Sequence, residues 1–224
     1  IFPTSLKWLK AFAPLYKEHI GLPFSCITHP QLMREETADL LGDMGCKYVI
    51  MGAQTVNESS RSSDVINRTE SSDEIAIAVK RLKKWGIFVL LDHIFGIPGE
   101  SMEDQEEALR FYSEIGPDVV KPFFMSYFPG TDLSKRKDTA ERVGEDELSK
   151  NEEGKWDHFM FQGELSGNDY RPYNLAYAMF PMLGPRARKA MVASGLHKKL
   201  APIGGLPGLG NIIIFPRLVT GLLT

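Results

Sequence analysis

Four short strand-like segments, each separated from the next by a helical pattern, constrain this chain more than any other feature. They fall at residues 23–28 (Pro23-Phe24-Ser25-Cys26-Ile27-Thr28), 48–52 (Tyr48-Val49-Ile50-Met51-Gly52), 88–91 (Phe88-Val89-Leu90-Leu91) and 119–128, at intervals of roughly 25 to 40 residues. Continuous apolar runs mark strands buried on both faces, as in a parallel sheet. Residues 5–19 set Leu6, Leu9, Phe12 and Tyr16 at helical spacing. Residues 35–44 bury Leu40, Leu41 and Met44 and stop at Gly45, where a left-handed residue normally ends a helix. Ser71 and Glu74 have capping-box spacing ahead of Ile75, Val79, Leu82 and Trp85, and Gly86 ends that helix. Ser101 and Asp104 repeat the device before Leu109, Tyr112 and Ile115, until Gly116-Pro117 breaks the pattern. Strands and helices alternating at this spacing require an α/β fold of parallel strands joined by right-handed crossovers. Periodicity leaves open whether the strands belong to a doubly wound sheet or to part of a barrel.

With 224 residues, 43% of them hydrophobic and 25% charged, the chain is an ordinary globular protein that needs no disulfide or metal staple. Cys26 and Cys46 match no zinc spacing and read as small core residues, which points to a reducing, cytoplasmic compartment. The chain opens on Ile1 with no signal peptide, and residues 218–224 read as cut in mid-element, so a fragment of a longer polypeptide is expected.

The net charge of −3 is unevenly spread. Residues 170–224 hold seven Lys or Arg and no Asp or Glu, which leaves 19 basic and 29 acidic residues, or −10, on the rest. Three units follow: an α/β core over 1–134, a charged linker or loop over 135–169, and a basic, mainly helical C-terminal extension over 170–224. Within the extension, residues 186–200 read as one basic helix. Residues 202–224 are apolar but too broken by glycine and proline to span a membrane. The basic extension either docks on the acidic core or meets an anionic partner such as a lipid headgroup, RNA or a phosphorylated substrate. Nothing marks a specific nucleic-acid interface. Reversing Arg186, Arg188 and Lys189 to Glu tests the anionic-partner reading, which expects loss of substrate turnover or of attachment to a membrane surface.

In parallel α/β folds ligands meet the C-terminal ends of the strands. Gln54, Thr55 and Asn57 follow the second run, with Arg68 beyond a polar stretch. Asp92 and His93 close the third, followed by Gly96-Ile97-Pro98-Gly99-Glu100; Ser126, Tyr127 and Pro129-Gly130-Thr131 close the fourth. Asp92 lies in an otherwise apolar strand, where a carboxylate costs several kcal/mol unless backbone N–H groups or a ligand hydroxyl pair with it. His93 points to the opposite face and reads as a packed, helix-facing residue. Glu100 suits the positive end of the following helix. Arg68 is a surface charge or a clamp for a carboxylate or phosphate, and Gln54 is a strand-end hydrogen-bonding group. The glycines form neither a phosphate loop nor a dinucleotide fingerprint. They let a flat, adenine-sized group approach the backbone closely. The residues alone therefore define a small-molecule site and no reaction.

Several of these segments, in this order and spacing, resemble the radical S-adenosylmethionine (SAM) enzymes: Leu41-Gly42-Asp43-Met44-Gly45-Cys46-Lys47-Tyr48-Val49-Ile50-Met51-Gly52-Ala53-Gln54, Val65-Ile66-Asn67-Arg68, Asp92-His93-Ile94-Phe95-Gly96-Ile97-Pro98-Gly99-Glu100 and Pro129-Gly130-Thr131. The likeness covers about residues 23–133 and is closest to the branch that often carries an N-terminal cobalamin-binding domain. It implies the C-terminal four β/α units of a partial (β/α)6 TIM-like barrel. It also implies a reductant-fed 4Fe-4S cluster that cleaves SAM to a 5′-deoxyadenosyl radical, with methyl transfer through cobalamin as the other outcome, on an unidentified substrate. By the same resemblance Gln54 and Arg68 contact the methionine part of SAM, Asp92 holds a ribose hydroxyl, and Ile94, Gly96, Pro98 and Gly99 line the adenine side. Thr55 stands where a serine is common. The larger departure is the cluster motif, Cys-x-x-x-Cys-x-x-Cys, which is absent here. Its ligands are expected upstream of Ile1, leaving this fragment inactive by itself. A set of Gln54, Arg68 and Asp92 without such cysteines would instead mark a non-catalytic module that binds a nucleotide-like ligand or a partner protein.

Overall fold

A computed structural model of the chain describes residues 1–3, 5–62, 65–136, 153 and 169–202. The helix expected over residues 5–19 is α1, Leu6–His19, started by Ser5, whose hydroxyl accepts from the Trp8 N–H. Then follow β1 (Phe24–Thr28), a 3₁₀ turn at Pro30–Leu32, α2 (Glu35–Asp43) and β2 (Cys46–Gln54). A short α3 (Glu58–Ser62) leads to α4 (Ser72–Lys84), β3 (Phe88–Phe95), α5 (Met102–Ile115) and β4 (Val119–Phe124). Both capping boxes form as the sequence predicts, Ser71 with Glu74 and Ser101 with Asp104, and left-handed Gly116 ends α5.

The four strands are parallel and lie in sequence order, β1-β2-β3-β4. Alternation along each strand sorts the side chains onto two faces. Val49, Met51, Ala53, Val89, Leu91, Phe95 and Val120 pack with Ala38, Leu41, Ile75, Val79, Leu82, Leu109 and Tyr112 of α2, α4 and α5 into one buried cluster. α1 joins the same side through Leu9 and Ala13, which meet Met44 and half-buried Phe24. The opposite face is called inner below. Its lower part is a small cluster of Tyr48, Leu90 and Val119 with Ile50 and Phe88, in which Tyr48 and Phe88 stack at 5.2 Å.

The structure differs from the sequence reading in two places beyond the strands. The polar stretch after β2 contains the helix α3. The single basic helix expected over 186–200 is two: α8 (Pro185–Ala193) and α9 (Leu196–Leu200), separated by left-handed Gly195. They follow α6 (Asp132–Lys135) and α7 (Arg171–Met179), the latter running into a 3₁₀ turn, Phe180–Met182. Most of the expected linker over 135–169, and residues 203–224 of the expected apolar tail, lie outside the described residues.

Residues 170–200 share the core with the sheet, since Tyr170, Tyr173, Tyr177, Phe180, Met191 and Val192 belong to the same buried cluster as β3 and α5. Arg188 fastens them. Its guanidinium is buried and donates from Nε to the carbonyls of Phe180 (2.7 Å) and Leu183 (2.9 Å), and from Nη1 to that of Pro117 (2.7 Å). Arg188 is therefore a structural clamp, whereas its neighbours Arg186 and Lys189 are exposed. Reversal of all three would confuse unfolding with loss of a partner. Arg188→Met, which strands three buried carbonyls, is expected to destabilise the chain by about 3 kcal/mol, and Arg186→Ala by less than about 0.5 kcal/mol, in urea unfolding.

Candidate functional site

The upper ends of β2 and β3 bring the sequence-predicted residues together. β2 closes on Gln54 in the left-handed conformation (φ 62°), and the β2–β3 register slips between Gly52 and Gln54. A non-glycine residue held at positive φ is strained, and such strain collects at ligand sites. The bend folds the Gln54 carboxamide back over Gly52: a Cβ on Gly52 would lie 2.4 Å from Gln54 Nε2 and 3.2 Å from Arg68 Nη1. Gly52 is a glycine because those two side chains occupy the space above it. Gly52 pairs in register with Asp92, so all three groups lie on the inner face. Ile94 follows Asp92 on that face, and the β3–α5 loop continues through Gly96 and Gly99, both at positive φ, with Pro98 buried between them.

Arg68 reaches this position through a loop fixed by residues that the sequence reading did not single out. Its Nη2 donates to the Gly52 carbonyl (2.8 Å) and its Nε to Glu70 Oε1 (2.5 Å), leaving Nη1 facing inward. The Glu70 side chain is fully buried, and His29 Nε2 lies 3.4 Å from its second oxygen. Beneath the loop Arg61, 1% exposed, donates to the carbonyls of Thr55 and Glu70 and to the Ser72 hydroxyl. One buried guanidinium thus ties the end of β2 to the start of α4.

A second polar chain sets the β3–α5 loop. Thr55 Oγ1 donates to Glu100 Oε1, and Gln105 Nε2 donates to Glu100 Oε2 at 3.2 Å. Gln105 Oε1 accepts from His93 Nε2 at 2.9 Å, and His93 Nδ1 accepts from the Tyr112 hydroxyl at 3.1 Å. His93 faces the helices, fully buried, and burial lowers its pKa to about 4, so it is a neutral structural link. Glu100 does more than favour a helix end: burial raises its carboxyl to about 7 while the Thr55 hydroxyl pulls the other way. Asp92 is half-buried, and burial raises its pKa to about 6 against the opposing pull of Lys121.

These groups suit a ligand that carries an anion, a hydroxyl donor and a flat apolar part. A guanidinium and a carboxamide, Arg68 and Gln54, complement an anion, the Asp92 carboxylate complements hydroxyl donors, and Ile94 with the glycine turn complements a flat apolar group. SAM has all three, so the residues present fit it. They do not fit an iron–sulfur cluster. Among the described residues no three His, Cys, Asp or Glu side chains converge, and Cys46 points into the helix-side core. Cys26 packs against that core from the neighbouring strand.

The profile of the Radical SAM superfamily matches residues 2–112, and the chain belongs to that superfamily. It is 28% identical over 134 residues to an uncharacterised protein of Methanocaldococcus jannaschii, covering 58% of this chain and 40% of that one. It is 30% identical over 108 residues to the tRNA-2-methylthio-N(6)-dimethylallyladenosine synthase of Deinococcus radiodurans, covering 46% and 21%. Among solved structures, coproporphyrinogen III oxidase (HemN) from Escherichia coli, a radical SAM enzyme, superposes with a TM-score of 0.49 at 14% identity, covering 88% of this chain and 67% of that one. The chain thus spans less than half the length of the curated relatives it matches.

Because Glu100 binds its proton more tightly folded than unfolded, its ordinary value being 4.5, the folded chain loses stability as pH rises from about 4.5 to about 7. Glu100→Gln removes that loss. The melting temperature of Glu100→Gln relative to wild type is expected to rise between pH 5 and pH 8; a difference that stays constant with pH would contradict the buried, proton-holding carboxyl.

Proposed function

We propose that this chain is the SAM-binding part of a radical SAM enzyme and that its four strands are the last four of a (β/α)6 partial barrel. Strands in sequence order, with α2, α4, α5, α7 and α8 packed into one cluster on one face, support the barrel over a doubly wound sheet, which carries helices on both faces. The observation that carries the functional reading is the convergence of Gln54 and Arg68 above Gly52, beside Asp92.

When bound, SAM supplies the 5′-deoxyadenosyl radical, or the methyl group, of this superfamily's chemistry. The chain's own work is placement. Arg68 is held by Glu70 and the Gly52 carbonyl, so Nη1 is already aimed when a carboxylate arrives, and little ordering entropy remains to be lost. Gln54 is locked by its backbone bend. Asp92 accepts from ribose hydroxyls, and that pairing offsets part of the cost of burying its charge. Ile94, Gly96, Pro98 and Gly99 shape the adenine side and keep water from it.

The 4Fe-4S ligands are proposed to come from outside this sequence, and a reductant would feed that cluster. A cobalamin domain rests on the sequence resemblance. The substrate is proposed to be anionic or lipid-like: exposed Arg186, Lys189, Lys198 and Lys199 lie on α8 and α9, which carry no acidic residue, beside exposed Met182 and Leu196. No helix among the described residues is long and apolar enough to cross a membrane. A cytoplasmic location, with attachment at a membrane surface, is proposed with it.

Isothermal titration with S-adenosylhomocysteine tests the site. Asp92→Asn and Arg68→Lys are each expected to weaken binding about tenfold or more, the loss of one charge-assisted hydrogen bond. Wild-type affinity in both variants, with unchanged melting temperatures, would contradict the proposal.

A further inference from the structure

Asp92 has a charged neighbour on the inner face of the next strand. Lys121 is the register partner of Asp92 on β4, so the two side chains leave adjacent strands on the same side. Lys121 is half-buried, and its ammonium sits 4.8 Å from the ring centre of Phe123, two residues along on the same face. No carboxylate lies within ion-pair distance of it among the described residues. A lysine present only for solubility turns its ammonium to water. This one stays over an aromatic ring, in register with the carboxylate assigned to the ribose, with Leu90 and Ile94 flanking that carboxylate on β3.

We propose that Lys121 is a positioning residue for Asp92: its ammonium, one strand away on the same face, keeps the Asp92 carboxylate ionised at neutral pH, ready to accept hydrogen bonds from ribose hydroxyls. The inference rests on the reading of Asp92 as the ribose ligand. Burial alone pushes the Asp92 carboxyl upward, and Lys121 is the charge that opposes it. The other charged or titratable groups near this point are Arg68, whose guanidinium is held over Gly52 by Glu70 and the Gly52 carbonyl, Tyr48 from β2 and Tyr112 from α5. Burial raises both phenols, Tyr48 to about 12, so both stay neutral and neither supplies a counter-charge. Phe123 gives Lys121 its place through a cation–π contact. Without the ammonium, Asp92 would take up a proton closer to neutral pH, and a protonated carboxyl accepts ribose hydrogen bonds poorly.

Two readouts test this on the whole chain. Carbon-detected NMR follows the titration of Asp92 in wild type, Lys121→Met, Lys121→Gln and Lys121→Arg. The Met and Gln variants are expected to raise the Asp92 midpoint by about half a unit to one unit, and Arg to restore it. Titration with S-adenosylhomocysteine should show wild-type affinity falling below about pH 6, and the Met variant losing affinity at higher pH while matching wild type at about pH 9. An Asp92 midpoint that ignores residue 121 overturns the inference, whatever the ligand does. So does an affinity loss in Lys121→Met of the same size at every pH, which marks a merely structural role. If Asp92→Asn binds S-adenosylhomocysteine as wild type does, the ribose assignment itself fails, and that result is separate from the NMR titration.

Discussion

The site depends on one buried cation that never touches it. Arg61 lies beneath the loop between β2 and α4, where it spans the carbonyls of Thr55 and Glu70. It also donates to the Ser72 hydroxyl. A guanidinium suits this task because its five donors lie in a fixed plane, so several backbone oxygens are satisfied together and fixed relative to one another. The backbone it fixes carries Glu70, and Glu70 orients Arg68. Removing Arg61 would leave buried carbonyls unpaired and release the loop that presents Arg68.

The same economy appears around β3. Its two faces divide the work: His93 on the helix side links Tyr112 to a chain of hydrogen bonds through Gln105 to Glu100 and Thr55, while Asp92 lies on the inner side. The buried chain joins the β3–α5 loop to the end of β2, so the glycine turn and the bend at Gln54 hold a common position. Arg188 plays a corresponding part at the lower end, joining the turn before β4 to the C-terminal helices. In each case a polar group is buried to fix loops that apolar packing alone leaves loose.

Most of the fold was legible from the sequence because its signals are local. Apolar runs, capping boxes at Ser71 and Ser101, and stops at Gly45, Gly86 and Gly116 each declare themselves within a few residues. Asp92 was legible too, as a carboxylate in an apolar strand, and its alternation with His93 correctly separated the two faces. Arg61, Glu70 and Lys121 were not. Arg61 looked like one more charge in a polar stretch, and its partners are backbone carbonyls, which carry no sequence signal. Lys121 depends on strand register with a residue 29 positions away. The break at Gly195 was hidden because a glycine among helix formers is tolerated as often as it ends a helix. Arg188 read as part of a basic surface for the same reason that Arg61 did.

A crystal structure of the chain with S-adenosylhomocysteine bound would show which face of the sheet holds the ligand and which side chains meet it. The ligand is expected on the inner face, its carboxylate on Arg68, its ribose hydroxyls on Asp92, and its adenine against Ile94 and the Gly96–Gly99 turn. Density on the helix side of the sheet, or a ribose that avoids Asp92, would contradict that placement.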